Sequence, residues 1–314
     1  MNKEASIFVA GGRGLVGSAI CRALEAREFA RVLAPSRDKL DLRNRAAVDR
    51  FFAAERPDYV FMAAAKVGGI VANDSYPADF IRDNLEIQTN VIDAAYRAGT
   101  RKLCFLGSSC IYPRMAPQPL QESSLLTGPL EPTNQWYAIA KIAGVKMCQA
   151  YALQHGFNAI SVMPTNLYGP GDNFDLQTSH VLPALLRKFH AAKESGSKEV
   201  TVWGSGTPRR EFLYVDDLAD ALCFLMERYD SPEIINVGCG EDVTIGELAA
   251  LVGDVVGFRG ELVFDRSKPD GTPRKLLDVG KMTTLGWRPQ TKLRDGIRAT
   301  YDWYLKNAKQ ARAG

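Results

Sequence analysis

The feature that most constrains this chain lies at its start. An apolar run, Ser6 to Ala10, leads into Gly11-Gly12-Arg13-Gly14-Leu15-Val16-Gly17, and Ser18 to Leu24 then follow with helical periodicity. The order is strand, glycine loop, helix. The spacing satisfies G-x-G-x-x-G through Gly12, Gly14 and Gly17, and also G-x-x-G-x-x-G through Gly11, Gly14 and Gly17. Glycines at these spacings permit a tight turn and bring backbone N–H groups close to a pyrophosphate at the helix N-terminus. A plain strand-to-helix turn needs fewer glycines, so the loop points to a dinucleotide.

The next stretches continue the alternation. Strand patterns at Arg31–Ala34, Pro57–Ala65 (a turn plus a strand), Leu103–Leu106 and Phe157–Met163 are separated by helical patterns at Asn44–Ala54, Pro77–Arg97 and Asn134–His155. Strands alternating with helices predict an α/β fold, a Rossmann-type doubly wound parallel sheet with ligands at the carboxyl ends of its strands. The glycine loop, Arg37, Ala65, Ser108 and Pro164 all fall at such ends. Lys66 to Ile70 reads as a flexible loop on the rim, and Pro113 to Pro132 as a loop over the site.

The second strand runs into Pro35-Ser36-Arg37 instead of ending on an acid. Arg37 and Arg13 could therefore clamp a 2′-phosphate, which predicts NADPH. The alternative makes Arg37 a solvated loop charge and Asp38 the ribose ligand. Asp41 is placed to sit near the adenine.

The chemistry centres on Ser108, at the end of the fourth strand, and on Tyr137 and Lys141. Residues four apart share one helix face. A lysine ammonium beside a phenol should lower the tyrosine pKa, and Ser108 could share the same substrate oxygen. The set suits a carbonyl/alcohol pair.

From about residue 166 the alternation is less regular. A smaller mixed α/β substrate-binding lobe is expected from 166–210 and 239–314. The first 165 residues form the cofactor domain, joined by a return segment of about 211–238. In the lobe, Gly204 to Arg210 is a basic turn suited to a diphosphate, and Trp203 offers a packing face. Adjacent side chains diverge, so one of Arg209 and Arg210 should point inward.

Composition bounds the rest. The 314 residues are 46% hydrophobic, enough for a sizeable core, and a net charge of +3 is too mild to argue for nucleic acid. No apolar run approaches the roughly 18 residues of a membrane span. The six cysteines include no C-x-x-C pair, so neither zinc nor a disulfide framework is indicated and a cytoplasmic location is expected. No metal is expected.

Longer stretches carry a resemblance. They are Ala63 to Ile70, Leu106 to Pro113, Glu131 to Asn134, Met163 to Pro170 and Lys268 to Lys275. With Ser108, Tyr137 and Lys141 they resemble the extended short-chain dehydrogenase/reductases. Within that family they are similar to the bifunctional enzymes that epimerise GDP-4-keto-6-deoxy-D-mannose at C3 and C5, then reduce C4 with NADPH to give GDP-L-fucose. The resemblance implies that Cys110 and His180 are the base and acid of epimerisation, both facing one cavity, with Cys110 on an extended loop. It implies cofactor contacts from Gly11 to Gly17, Arg37, Asp41, Leu106-Gly107-Ser108-Ser109, Lys141, Pro164-Thr165-Asn166-Leu167 and His180. Lys188, Trp203, Arg210 and Asp270 would hold the nucleotide sugar. A homodimer through the helices around Pro77–Arg97 and Tyr137–His155 is also implied.

Other classes compete with this reading. A 4,6-dehydratase of the same fold should carry an Asp-Glu pair after the strand-four serine, where this chain has Ser109-Cys110. A 4-epimerase would recycle tightly held NAD. A non-catalytic NADP(H) sensor has no need of Ser108, Tyr137 and Lys141.

Overall fold

The computed structural model describes residues 1–176, 178–268 and 270–311; Pro269 of the Lys268–Lys275 stretch lies outside them. The first half runs β1 (Ser6–Ala10), α1 (Leu15–Ala26), β2 (Arg31–Leu33), α2 (Arg45–Glu55), β3 (Tyr59–Met62), α3 (Ile70–Ser75), α4 (Pro77–Arg97), β4 (Lys102–Leu106), α5 (Gln135–His155) and β5 (Ala159–Pro164). The second half runs β6 (Asn166–Tyr168), α6 (Val181–Ser195), β7 (Glu199–Trp203), β8 (Arg209–Arg210), β9 (Phe212–Tyr214), α7 (Val215–Arg228) and β10 (Ile234–Val237). It continues with β11 (Val243–Thr244), α8 (Ile245–Val256), β12 (Glu261–Asp265), β13 (Arg274–Lys275), α9 (Gly280–Leu285) and α10 (Leu293–Ala311).

Six strands form one parallel sheet in the order β10-β5-β4-β3-β1-β2. Apart from the edge strand β2, its strands are buried on both faces, so their alternation sorts side chains between two cores. Ile7, Val9, Phe61, Cys104 and Val162 join α1 and α7 on one face. Phe8, Ala10, Val60, Phe105 and Met163 join α2, α4 and α5 on the other. Each large side chain so buried contributes about 1.5–3 kcal/mol. The chain enters the sheet a last time at β10, where Ile234 pairs with Ser161, after α7 has packed on α1.

Helix ends follow local chemistry. The Asn44 side chain accepts the Ala47 N–H at 3.0 Å, opening α2. Gly156 closes α5 in the left-handed conformation, φ 65°. The other strands are short: β6 with β9, β7 with β12, and β11-β8-β13. They surround a third core that includes Leu185, Phe189, Val252, Ile297 and Tyr304.

Several local expectations change. The rim loop at Lys66 runs into the short helix α3, because Asn73 bonds back to it. The loop over residues 113–132 contains a 3-10 turn at Glu122–Ser124. It is tied to the second half where the Leu120 N–H meets the Leu276 carbonyl at 2.7 Å.

Candidate active site

At the carboxyl edge of β1, Gly11 adopts φ +81°, and an added Cβ there would lie 2.8 Å from Ala64 Cα at the end of β3. At Gly17 a Cβ would strike the Gly11 carbonyl oxygen. These two positions let α1 and β3 close on the loop. Gly14 caps α1 with no side-chain acceptor and no acid in the first turn, so the first N–H groups of the helix stay free for an anion. The cradle therefore fits a pyrophosphate.

Arg13 and Arg37 are exposed and make no ion pair among the described residues. Ser36 and the nearby Arg13 charge hold the Asp38 carboxyl below its usual range. Arg43 grips the Asp41 carboxylate with Nε at 3.0 Å and Nη2 at 2.7 Å. That bidentate pair lowers the Asp41 pKa to about 2. Two uncommitted cations beside the adenine end fit a 2′-phosphate better than a bare ribose diol.

Ser108, Tyr137 and Lys141, expected from the sequence to carry the reaction, lie just beyond β4 and in the first two turns of α5. Ser108 leaves β4 extended and caps a 3-10 turn, Ser109–Ile111, its Oγ accepting the Cys110 N–H at 3.3 Å. Cys110 thus sits on a tight turn rather than on an extended loop. Tyr137 and Lys141 occupy successive turns of α5. Lys141 is buried, and its Nζ donates to the Leu106 carbonyl at 2.7 Å, 5.8 Å from the Tyr137 ring centre. The expected lowering of the tyrosine pKa is not found. Burial drives the Tyr137 pKa up, and Cys110 adds to the rise. Burial also lowers Lys141 to about 8. The lysine is committed to a carbonyl, so the phenol stays protonated and is a proton donor at neutral pH.

His180 is the N-cap residue of α6 but its imidazole makes no cap bond. His180 is exposed as a residue, yet surrounding protein and the Lys275 charge keep its pKa below the usual value. The same lysine lies within electrostatic reach of Cys110, Arg210 and Glu131. Lys275 belongs to no site predicted from sequence. The available signal was its place beside Arg274 in a strand, where neighbours face opposite ways. Arg274 turns out to Asp242.

The adjacent arginines diverge in the same manner. Arg209 pairs with Asp242 at 2.8 Å, while Arg210 is inward, near the Asp270 charge. Asp270 accepts from Ser205 N at 2.9 Å and Ser205 Oγ at 2.6 Å. Trp203 is 60% exposed, with Lys188 Nζ 5.1 Å and Lys268 Nζ 5.6 Å from its ring centre. Lys188 also donates to the Thr201 carbonyl at 3.4 Å.

At the ends of β4 and β5, Gly107 N–H bonds to Val162 and Thr165 N–H to Val237, while the Asn166 side chain reaches the Glu211 carbonyl at 2.8 Å. Pro164 ends β5 and Leu167 lies in β6. Glu211, missed in the sequence, is fully buried and accepts from Gly240 N at 2.7 Å and Leu277 N at 3.0 Å. The other histidines serve packing. His155 stacks on Tyr96, and His190 bonds Tyr301 Oη at 3.0 Å.

This arrangement defines a nucleotide-dependent enzyme acting beside a carbonyl, and residues 7–238 match the NAD dependent epimerase/dehydratase family. The chain belongs to that family. More particularly, it is 63% identical to "GDP-L-fucose synthase 1" of Arabidopsis thaliana, over 98% of this chain and 95% of that protein. It is 55% identical to the "GDP-L-fucose synthase" of Escherichia coli strain K12, over 99% and 100%. The solved structure of a GDP-L-fucose synthetase from Naegleria fowleri bound to NADP superposes with a TM-score of 0.91 at 33% identity, covering 99% of this chain and 97% of that one.

Proposed function

We propose that this chain makes GDP-L-fucose from GDP-4-keto-6-deoxy-D-mannose, first epimerising C3 and C5 and then reducing C4 with NADPH. The single observation that carries the reading is the Ser108–Cys110 turn. It places a thiol two residues from the hydroxyl of the reduction set, within electrostatic reach of both Tyr137 and Lys275.

The C3 and C5 protons are acidic because each carbanion is an enolate of the C4 ketone. Epimerisation needs a base and an acid beside those carbons and donors on the C4 oxygen. Cys110 and His180 supply the pair. As its thiolate, Cys110 can take a proton from carbon, and the His180 imidazole, once protonated, can return one to the opposite face. Ser108 and the protonated Tyr137 donate hydrogen bonds to the oxygen on which the enolate charge develops. NADPH, held by the Gly11–Gly17 cradle with Arg13 and Arg37 at its 2′-phosphate, supplies the hydride for C4. Tyr137 then gives its proton to the C4 oxygen, and Lys141, fixed on the Leu106 carbonyl, offsets the phenolate left behind.

Lys188, Trp203, Arg210 and Asp270 hold the GDP portion. The cofactor half is residues 1–165 with the return segment 211–238, and the substrate lobe is 166–210 and 239–314. We further propose a homodimer through α4 and α5, supported by Leu153, 92% exposed on α5, with Trp136 and Ile139 also uncovered on that helix. Sedimentation as a monomer at micromolar concentration would sink it. All six cysteines are free, which supports a cytoplasmic location, and no described helix is long and apolar enough to cross a membrane.

The test is NADPH oxidation with this substrate in D2O, native protein against Cys110→Ser. Native turnover should leave solvent deuterium at C3 and C5. Cys110→Ser should lose that exchange while binding NADPH normally. Oxidation without deuterium at either carbon would reduce the enzyme to a simple 4-reductase.

A further inference from the structure

Helix α4 carries buried polar side chains that the reaction does not use. Asn84 is nearly fully buried and clamps one residue of the rim loop in both directions. The Lys66 N–H donates to Asn84 Oδ1 at 2.9 Å, and Asn84 Nδ2 donates to the Lys66 carbonyl at 3.0 Å. The Lys66 ammonium is anchored on the same helix, 3.2 Å from both Asp79 and Asp83. Asn73, also buried, donates to the Gly68 carbonyl at 2.7 Å and the Gly69 carbonyl at 3.1 Å. The segment expected to be flexible is therefore pinned at three points.

Its far end reaches the other half of the molecule. The Gly69 N–H donates to the Thr178 carbonyl at 3.0 Å, two residues before His180. Thr178 is itself fixed: its N–H bonds to Asp175 Oδ1 at 3.0 Å, and its hydroxyl accepts from Asn173 Nδ2 at 2.9 Å. The approach is close. A Cβ on Gly69 would lie 3.2 Å from the Ser179 oxygen and 3.4 Å from that of Thr178. The bond is made between main-chain atoms, and a chain of hydrogen bonds runs from α4 through the Lys66–Gly69 loop to Thr178, two residues before His180.

We propose that the Lys66–Gly69 loop, held by Asn84 and Asn73, is a strap that positions His180 for the proton transfers at C3 and C5. The strap has no part in hydride transfer to C4. Ser108, Tyr137 and Lys141 are placed by β4 and α5, and α4 fixes α5 at a separate point, where Gln88 Nε2 donates to the Ala140 carbonyl at 2.7 Å. Asn84 and Gly69 are thus positioning residues for one half-reaction only. The inference rests on the reading of His180 as an epimerisation group.

The experiment separates the two half-reactions. Deuterium exchange from D2O into C3 and C5 is measured on the 4-keto substrate. Hydride transfer from NADPH is measured on the ketone supplied already epimerised. Gly69→Ala crowds the Ser179 and Thr178 carbonyls without altering a φ of −65° that alanine accepts, and Asn84→Asp removes the donor to Lys66. A displacement of His180 by a fraction of an ångström should slow exchange about tenfold in each. Hydride transfer and NADPH affinity should stay within about twofold on the same argument. His180→Asn is the reference. If it slows exchange but Gly69→Ala does not, the strap is wrong and His180 stands. Equal loss of both half-reactions in Gly69→Ala would also overturn the strap, since that is general damage. Should His180→Asn leave exchange intact, the reading of His180 fails and the strap falls with it. Gly69→Ala keeps the test open where Asn84→Asp fails to fold.

Discussion

In the function proposed above, the two halves of the molecule hold their ligands by different means. The cofactor half uses main-chain atoms at the end of a regular sheet: the uncapped N-terminus of α1 and the glycines at 11 and 17. The side chains proposed for the second half, Lys188, Trp203, Arg210 and Asp270, come from four separate stretches, on elements as short as the two-residue β8. Main-chain geometry is set by local rules, so the first half is specified residue by residue along the chain. A site built from side chains is specified by which face each residue turns inward, and that depends on packing against distant segments. The first half should therefore fail all at once when its chemistry is removed, and the second in graded steps.

The largest effect expected is from Tyr137→Phe. Loss of the proton donor to C4 should cut NADPH oxidation by about 10²–10⁴-fold, with NADPH affinity unchanged in a fluorescence titration. Retention of more than a tenth of the rate would assign the proton to another group. Next comes the cofactor choice. Arg37→Ala removes a charged contact worth about 1.5–3 kcal/mol and should weaken NADPH roughly tenfold or more by the same conversion, with little change for NADH. Equal affinity of the native protein for both cofactors would favour Asp38 as a ribose ligand.

The graded half is tested by its adjacent arginines. Arg210→Ala should raise KM for the nucleotide sugar about tenfold, as expected for a lost charged contact. Arg209→Ala, which breaks a pair that turns away from the site and leaves Asp242 held by Arg274, should leave KM within about twofold because no substrate contact is lost. The reverse order would mean that the inward side chain is Arg209. The smallest effect concerns the segment that carries His180. Asp172 is buried, one carboxylate oxygen has no partner, and burial raises its pKa to about 7. The folded state holds a proton that the unfolded chain releases near the ordinary carboxyl pKa. Its contribution to stability is full below that ordinary value and is lost as pH rises through about 7. Asp172→Asn should flatten the fall in Tm between mildly acidic and mildly alkaline buffer, measured by scanning calorimetry at several pH values.

The rim loop shows where sequence reading and structure part. Two adjacent glycines at 68 and 69 read as freedom, yet the segment is pinned by Asn73, Asn84 and Lys66. Nothing in the spacing of Asn84 on an amphipathic helix says whether it faces water or a neighbouring main chain. Tyr137 and Lys141 teach the same lesson. Their shared helix face was legible, but their electrostatics were not, because the Leu106 carbonyl takes the lysine and burial governs the phenol. Cys110 was legible as a neighbour of Ser108, while its tight turn was not.

The sequence by itself determined the doubly wound sheet, the glycine loop between β1 and α1 and the shared helix face of Tyr137 and Lys141, because each rests on interactions within a few residues: alternation, helical period, glycine spacing. Tertiary structure alone decided which of two neighbouring cations enters the site, that Lys275 stands near Cys110 and His180, and what fastens the His180 segment. Those outcomes depend on burial, where a charge or amide takes whatever partner the fold brings within about 3 Å, and no local pattern records that partner.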